Sequence, residues 1–304
     1  MRTQSASSGT VEHTPVLLEE SVRALALREG GVYVDATLGT GGHTRAMLER
    51  VSNATVVGID ADAEAIETAK ARIASFENTT RFFHAYFADM DAVLNEVGVA
   101  RADGILADLG VSSFALDTPE RGFSFQAEGP LDMRFNTGDE SATAADIIRT
   151  WSERDLAGLF ASLGDEQFAR PIARGIVARR SAEFPSTTTQ LADLIRESVP
   201  PRFRYGRIHP ATRVFQALRM KVNEELDQLT KFLEVGLEAL NSGGRLAVIS
   251  FHSGEDRVVK HTFQTMAAAQ RGSVVTPKPI TSGDQERREN VRSRSAKLRV
   301  IEKT

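Results

Sequence analysis

The chain contains no cysteine. That rules out a disulfide framework, a thiolate metal site and a cysteine nucleophile. Long apolar runs are missing too: no stretch reaches the ~18 residues a membrane-spanning helix needs, and Met1 to Thr10 is rich in Ser, Thr and Gly without an apolar signal core. These absences predict a cytosolic, cytoplasmic protein with no membrane partner. Positive charge is not in excess, since the formal net charge is −4, the reverse of a generic nucleic-acid binder. Any contact with nucleic acid must then come from local basic patches. The His, Asp and Glu residues show no metal-ligand spacing, so no metal is expected, and no internal repeat is visible. At 304 residues and 41% hydrophobic content, the chain can bury an ordinary core in two domains or one enlarged one.

What is present is organised around Val32 to His43 (VYVDATLGTGGH). Val32 to Ala36 has the β-branched and aromatic weight of a short buried strand. Gly39, Gly41 and Gly42 permit a sharp turn that brings bare N–H groups close to a ligand, and Thr44 to Arg50 continues as a helix without a breaker. Strand, glycine turn and helix bind nucleotide-like cofactors at the carboxyl edge of an open α/β sheet; a tight βα connection without a ligand is the alternative. The next unit, Thr55 to Asp60, is a second strand that ends in a carboxylate able to accept ribose hydroxyls. The Gly-Lys-Ser/Thr of a P-loop is missing. Thr44 stands where the dinucleotide fingerprint needs its third glycine, which disfavours NAD and FAD. What remains fits S-adenosylmethionine (SAM) and a methyltransferase core.

Along the chain, Thr14-Pro15 followed by Val16 to Val22 suggests an N-cap, a proline at the first helical position and a short helix. Asp62 to Ser75 reads as a helix, Arg81 to His84 as a third strand leading to Phe87, and Asp103 to Gly110 as a fourth with Asp108 at its carboxyl end. Alternating β and α means a parallel, doubly wound sheet. The alternation then stops. Phe114 to Phe135 reads as a long ordered loop, Ala144 to Arg180 as helices, and Gln190 to Val199 as another. From Val214 to Leu240 apolar residues step by three or four, which predicts one long amphipathic helix ended by Asn241-Ser242-Gly243-Gly244. Leu246 to Phe251 is a fifth strand, Arg257 to Ala269 a helix, and Ser273 to Ile280 and Ala296 to Glu302 two closing strands. The expected fold is α/β: the class I SAM-methyltransferase sheet, doubly wound and seven-stranded, with an inserted helical subdomain. The expected divisions are a flexible start at 1–12, a core at 13–113 and 209–304, and an insert at 114–208.

For the chemistry, Gly41, Gly42 and His43 are expected to face the amino-acid part of the cofactor and Asp60 its ribose. Phe87 is read either as flanking the adenine or as an ordinary core aromatic. Asp108 lies where the methyl group is delivered and is the candidate catalytic residue, a helix or loop cap being the alternative. An acceptor there orients an exocyclic amine and frees its lone pair. Methylation at C5 of a pyrimidine requires a thiolate adduct, so the missing cysteine leaves nitrogen or oxygen as the nucleophile. Two stretches are locally basic. Ser198 to Asn223 has no acid but carries Arg202, Arg204, Arg207, Arg213, Arg219 and Lys221, interleaved with Phe203 and Tyr205; Arg287 to Arg299 is the second. Arginines with aromatics suit a phosphate backbone with unstacked bases; solvated basic faces are the alternative. His252 either orients a substrate or caps a strand end.

Several segments, in order, resemble the bacterial RsmH family, also called MraW: His13 to Leu18 (HTPVLL), Asp35 to His43, Asp103 to Ser113 (DGILADLGVSS), Arg121 to Phe125 (RGFSF), Gly129 to Arg134 (GPLDMR), His209 to Arg213 (HPATR), Ser250 to Ser253 (SFHS) and Arg294 to Arg299. The resemblance implies a SAM-dependent enzyme that methylates N4 of one cytidine in 16S rRNA, in the decoding centre of the small ribosomal subunit. It implies cofactor contacts at Gly41, Gly42, His43, Asp60, Phe87 and Asp108. Arg134, Arg204, Arg213, His252 and Ser253 are the candidate substrate residues, and a homodimer is among the open oligomeric states. The chain departs from the family pattern at Phe114-Ala115, usually Pro-Gln, at Gly254, usually Leu, and at Val291, usually Pro. The family's glutamine touches the cofactor, so Ala115→Gln is expected to add one hydrogen bond to SAM. Two rivals remain: a DNA amino-methyltransferase, which would carry an Asp-Pro-Pro-Tyr type of motif and a target-recognition domain, and a SAM-binding ribosome-assembly factor that does not turn over.

Overall fold

The computed structural model describes residues 15–304. The 1–12 segment, His13 and the expected Thr14 cap lie outside the described residues. Seven strands form one sheet in the order β3-β2-β1-β4-β5-β7-β6. They are β1 (Val32–Asp35), β2 (Thr55–Asp60), β3 (Thr80–His84), β4 (Ala102–Asp108), β5 (Leu240–Ser250), β6 (Gly272–Val274) and β7 (Lys297–Lys303). β1 to β5 pair in parallel, and β7 runs antiparallel to both β5 and β6. This is the doubly wound, seven-stranded arrangement of class I methyltransferases. Its order reverses between β1 and β4, and a ligand crevice opens beyond the carboxyl ends of the strands at such a point.

Strand alternation divides the apolar residues between two layers. Val34, Val57 and Ile105 face the helices Met90–Glu96, Glu225–Glu238 and Ser253–Ala268. Tyr33, Val56 and Leu106 face Leu18–Ala24, Gly42–Arg50 and Ala63–Ile73. Both faces are covered, which is why the central strands read as continuous apolar runs. A third cluster holds the insert together. It joins Ala115 and Phe123 to helices Ala144–Thr150, Glu153–Ser162, Ala169–Arg180, Thr188–Ser198 and Ala211–Val222. Each fully buried Leu or Ile in it contributes about 1.5–3 kcal/mol.

Several expectations change. The helix expected from Pro15 starts at Leu18, because Leu17 adopts φ 52 and its N–H donates to Glu286 Oε1 at 2.8 Å. The closing strand expected at Ser273 to Ile280 shortens to Gly272–Val274, with one isolated bridge from Ile280 to Leu298; Pro277 and Pro279 lack the N–H that a ladder needs. The long helix expected from Val214 to Leu240 is two, Ala211–Val222 and Glu225–Glu238, separated where Glu224 takes φ 49. Asn223 makes the break. Its Nδ2 donates to Met133 O at 2.7 Å and Arg219 O at 2.9 Å, and its Oδ1 accepts from Phe135 N at 2.7 Å. Asn241 to Gly244, expected to stop that helix, lie inside β5.

The break decides which core each half joins. Ala211, Val214, Phe215, Ala217, Leu218 and Val222 bury in the insert cluster, whereas Leu229, Phe232, Leu233 and Leu237 bury against the sheet. We therefore propose to draw the end of the insert at Asn223 rather than at 208. No described helix is long and apolar enough to cross a membrane.

Candidate active site

The carboxyl ends of β1, β2 and β4 bring the sequence candidates together. Asp35 ends β1, fully buried; its Oδ2 accepts from Thr44 Oγ1 at 2.7 Å, and its Oδ1 has no partner. Burial pushes its carboxyl up to about 6 against the opposing pull of His43 and Thr44, with Asp108 adding to the rise. His43 is buried, and neither ring nitrogen makes a hydrogen bond. Its Nε2 lies 3.6 Å from Asp108 Oδ2, and Asp108 Oδ1 is also unpartnered. Asp108 is held by its own N–H, which donates to Thr37 Oγ1 at 2.6 Å. Buried polar atoms are normally satisfied, so this concentration of unpartnered ones at the carboxyl edge marks a place built for a polar ligand.

The helix Gly42–Arg50 points its start into this place with no side-chain cap, leaving its first N–H groups for an anion. The glycines are needed for a further reason. Gly41 has φ 77, and a Cβ there would come within 2.4 Å of Ile73 Cδ1. A Cβ on Gly42 would come within 2.3 Å of Pro15 Cγ. Close packing on the side of the Ala63–Ile73 helix and of Pro15 demands these residues even before a ligand is considered.

At the end of β2, Asp60 accepts from Gly39 N at 2.7 Å and Asp62 N at 2.9 Å. Burial raises its carboxyl to about 6, while those N–H groups pull it down. Phe87 follows β3 and packs edge-on to Phe232, the ring centroids 5.2 Å apart. It is half-buried and packs against the core on the sheet.

The insert is tied to the same edge. Arg121 pairs with Asp62 at 2.6 Å, both buried, and also donates to Phe135 O at 2.8 Å. Tyr86 donates to Asp139, and burial together with that carboxylate raises its phenol. These links were not legible in the sequence, because each partner lies in a segment whose fold contact depends on the insert.

The candidate substrate residues all carry structural duties. Arg134 pairs with Asp132 at 2.7 Å and donates to Asp139 O. Arg204 donates to Val199 O at 3.1 Å and Glu197 O at 2.9 Å, closing the end of Thr188–Ser198. Arg213 donates to Asp165 O, and Ser253 Oγ donates to Asp165 Oδ2. His252 caps Ser253–Ala268, its Nδ1 accepting from Glu255 N at 3.3 Å. A leucine at Gly254 would press on that imidazole, since a Cβ there lies 3.1 Å from His252 Nδ1.

Although no metal spacing is visible in the sequence, folding brings acceptor atoms of Glu225, His252 and Glu255 within 4.8 Å of one another. Arg219 occupies both oxygens of Glu225, at 2.7 and 2.9 Å, and Glu255 Oε2 accepts from Phe251 N at 2.8 Å. Arg219 balances Glu225, and His252 Nε2 lies 3.2 Å from Glu255 Oε1, so the group is an ion network at the junction of insert and sheet.

Ala115 lies 2% exposed in the insert cluster, its N–H donating to Ser112 Oγ at 3.1 Å. That burial changes what is expected of Ala115→Gln. A glutamine there would bury a polar amide among apolar side chains, so the variant should lose about 1–3 kcal/mol of stability without tighter SAM binding. Urea unfolding beside calorimetric SAM titration checks this. A tighter, equally stable variant would mean that the side chain escapes to the cofactor.

A doubly wound seven-stranded sheet with an antiparallel β7, unpartnered polar groups at its reversal and an acidic residue closing β4 defines a class I SAM-dependent methyltransferase. The MraW methylase family matches residues 10–304. The ribosomal RNA small subunit methyltransferase H of Trichormus variabilis is 49% identical over 100% of this chain and 97% of its own. The protein of that name from Nostoc punctiforme is 49% identical over 96% and 94%, and that from Gloeobacter violaceus 50% over 95% and 87%. This chain belongs to the MraW methylase family.

Proposed function

We propose that this protein methylates the N4 amine of a cytidine in 16S rRNA, in the decoding centre of the small ribosomal subunit, working in the cytoplasm. The observation that carries the reading is the set of polar atoms without a hydrogen bond at the sheet reversal, Asp35 Oδ1, both ring nitrogens of His43 and Asp108 Oδ1, in a chain whose family is methylating. SAM, when bound, supplies an electrophilic methyl group. The uncapped N–H groups at Gly42 and His43 hold its carboxylate, and Asp60 accepts from its ribose hydroxyls. Phe87 flanks the adenine. Asp108 accepts from the amine, fixes its direction of attack and takes up the proton that the nitrogen loses as its new N–C bond forms and the methyl–sulfur bond breaks, its electron pair staying on sulfur. The insert, fastened by Arg121–Asp62 and Tyr86–Asp139, covers the base.

Asp60→Ala should remove two charge-assisted bonds to the ribose, at most about 1.5–3 kcal/mol each. In the unaltered protein the carboxylate titrates near 6. It is ionised above that value and a good acceptor, and it is protonated below, so SAM affinity should fall as pH drops through 6. Calorimetry at pH 7.5 and 5.5 checks both. Unchanged binding of Asp60→Ala at pH 7.5 would remove Asp60 from the ribose site. The reaction itself is tested by mapping modified nucleosides in rRNA from cells with and without the protein, and by single-turnover methyl transfer to purified small subunits. A protein that binds subunits and SAM without transferring methyl would be an assembly factor instead.

A further inference from the structure

We propose that the tip at residues 205–208, together with the start of the Ala169–Arg180 helix, forms a docking surface for single-stranded RNA on which one unpaired base stacks against Tyr205. This rests on the reading of RNA as substrate and adds where, and by what interaction, the strand is held outside the catalytic cleft.

Tyr205 is 85% exposed and Ile208 54%, among the few large apolar side chains that the described residues leave in water. Neither belongs to a frayed segment. Before the tip, Phe203 packs on Phe168 with centroids 4.8 Å apart, and Arg204 is bound to the carbonyls of Val199 and Glu197. After it, the His209 ring lies 4.8 Å from Phe125, and His209 Nδ1 accepts from Ala211 N at 3.1 Å. Both feet of the loop are fixed, so its backbone has little freedom left to lose when a base stacks on the projecting ring.

Basic residues dominate the segments that carry the ring, with Asp193, Glu197 and Glu166 the acids near its feet. Ser198 to Asn223 contains no acid, and neither does Ala169–Arg180, which carries Arg170, Arg174, Arg179 and Arg180. The two segments are far apart in sequence, yet the Phe168–Phe203 packing sets the beginning of that helix beside the turn at Pro201–Phe203. Arg170, Arg202 and Arg207 are exposed, and Arg202 lies over the Phe203 ring at 4.8 Å. Arginines spaced around a projecting aromatic match alternating phosphates and bases: the guanidinium groups follow the backbone, and any base offers a π-face to the tyrosine. A net charge of −4 makes this local basic surface a feature with a purpose rather than a general excess. The ring pairs His209–Phe125 and Phe125–Phe215 then connect the tip to the Arg121–Phe125 loop of the insert.

The test is fluorescence anisotropy with a single-stranded RNA oligonucleotide over a range of salt concentrations, with SAM binding and methyl transfer to subunits measured in parallel. Tyr205→Ala should weaken RNA binding about 5- to 150-fold with an unchanged salt slope, and Tyr205→Trp should restore it, its indole being quenched as RNA binds. Replacing Arg170, Arg202 and Arg207 by glutamine should flatten the slope by about 0.7 for each phosphate no longer neutralised. Arg204 is left in place because it closes a helix. SAM affinity should not move in any of them. Wild-type RNA affinity in Tyr205→Ala overturns the proposal. So does loss of subunit binding with oligonucleotide binding intact, which would assign the tip to a protein, or loss of a wild-type dimer in sedimentation, which would assign it to a second copy. If the unaltered protein neither binds RNA nor transfers methyl, the substrate reading has failed first.

Discussion

Asp108→Ala should lower single-turnover methyl transfer by about 10²–10⁴-fold and leave RNA binding to small subunits nearly intact. The carboxylate ends β4 between β1 and β5, and its main chain is fixed by Thr37 Oγ1, so truncation deletes the acceptor without moving the strand. Asp108→Asn separates two parts of the effect. The amide keeps an acceptor oxygen and can still orient the amine, but it cannot take up a proton. If orientation dominates, Asp108→Asn should retain far more activity than Asp108→Ala; if proton acceptance dominates, the two should be equally poor. RNA affinity should be read in the same samples, since a loss in binding would show that the residue holds substrate in its ground state. A near-normal transfer rate in Asp108→Ala would remove this residue from the chemistry and leave it as a cofactor contact alone.

The second large effect concerns stability. Arg219 extends from Ala211–Val222 onto both oxygens of Glu225 at 2.7 and 2.9 Å, with Glu255 close behind. Burial raises the Glu225 carboxyl, and Arg219 opposes the rise. Arg219→Met leaves Glu225 in a poorly solvated place without its counter-charge, beside a second carboxylate at Glu255. Breaking one partner of such a pair costs about 3–5 kcal/mol, whereas replacing both by apolar residues is often neutral. Urea unfolding should therefore show a large fall in midpoint for Arg219→Met and recovery of most of it in Arg219→Met with Glu225→Met. The pH dependence follows. In Arg219→Met, Glu225 has a folded pKa above its unfolded one. It is then protonated and harmless below its unfolded value, and the penalty appears as pH rises through the folded value. The loss should shrink in acid. A double variant as unstable as the single one would mean that Arg219 acts through packing rather than charge.

The β–α alternation up to Asp108 was legible in the sequence because each unit is local. A buried parallel strand shows as an apolar run, a turn shows as glycine, and the helix after it shows as a 3.6-residue period. The carboxylates Asp60 and Asp108 could be placed for the same reason: a strand's last residue is at the sheet's carboxyl edge whatever the rest of the chain does. The position of His43 came with the turn. The chemistry of Asp35 did not, since its lack of a partner on Oδ1 and its raised carboxyl arise from burial between β2 and β4.

Periodicity failed at Asn223, where the apolar steps continue from Val214 to Leu240 as if one helix ran through. The break costs the backbone a left-handed Glu224, and beyond local bonds to Arg219 it is stabilised by Met133 and Phe135 from a loop distant in the chain. The burial of Ala115 was not legible for a similar reason: its neighbours in the insert cluster come from distant parts of the chain. The basic window likewise mixes two roles. Composition places Arg202, Arg204 and Arg207 together, but only the fold shows that Arg204 closes a helix while its neighbours face water. What the sequence determined by itself was the set of local periods and strand-end residues, because these depend on neighbours a few positions away. The tertiary structure alone decided which charges are paired, which acceptors stay open and which helix joins which core, because each of those depends on groups brought together from distant parts of the chain.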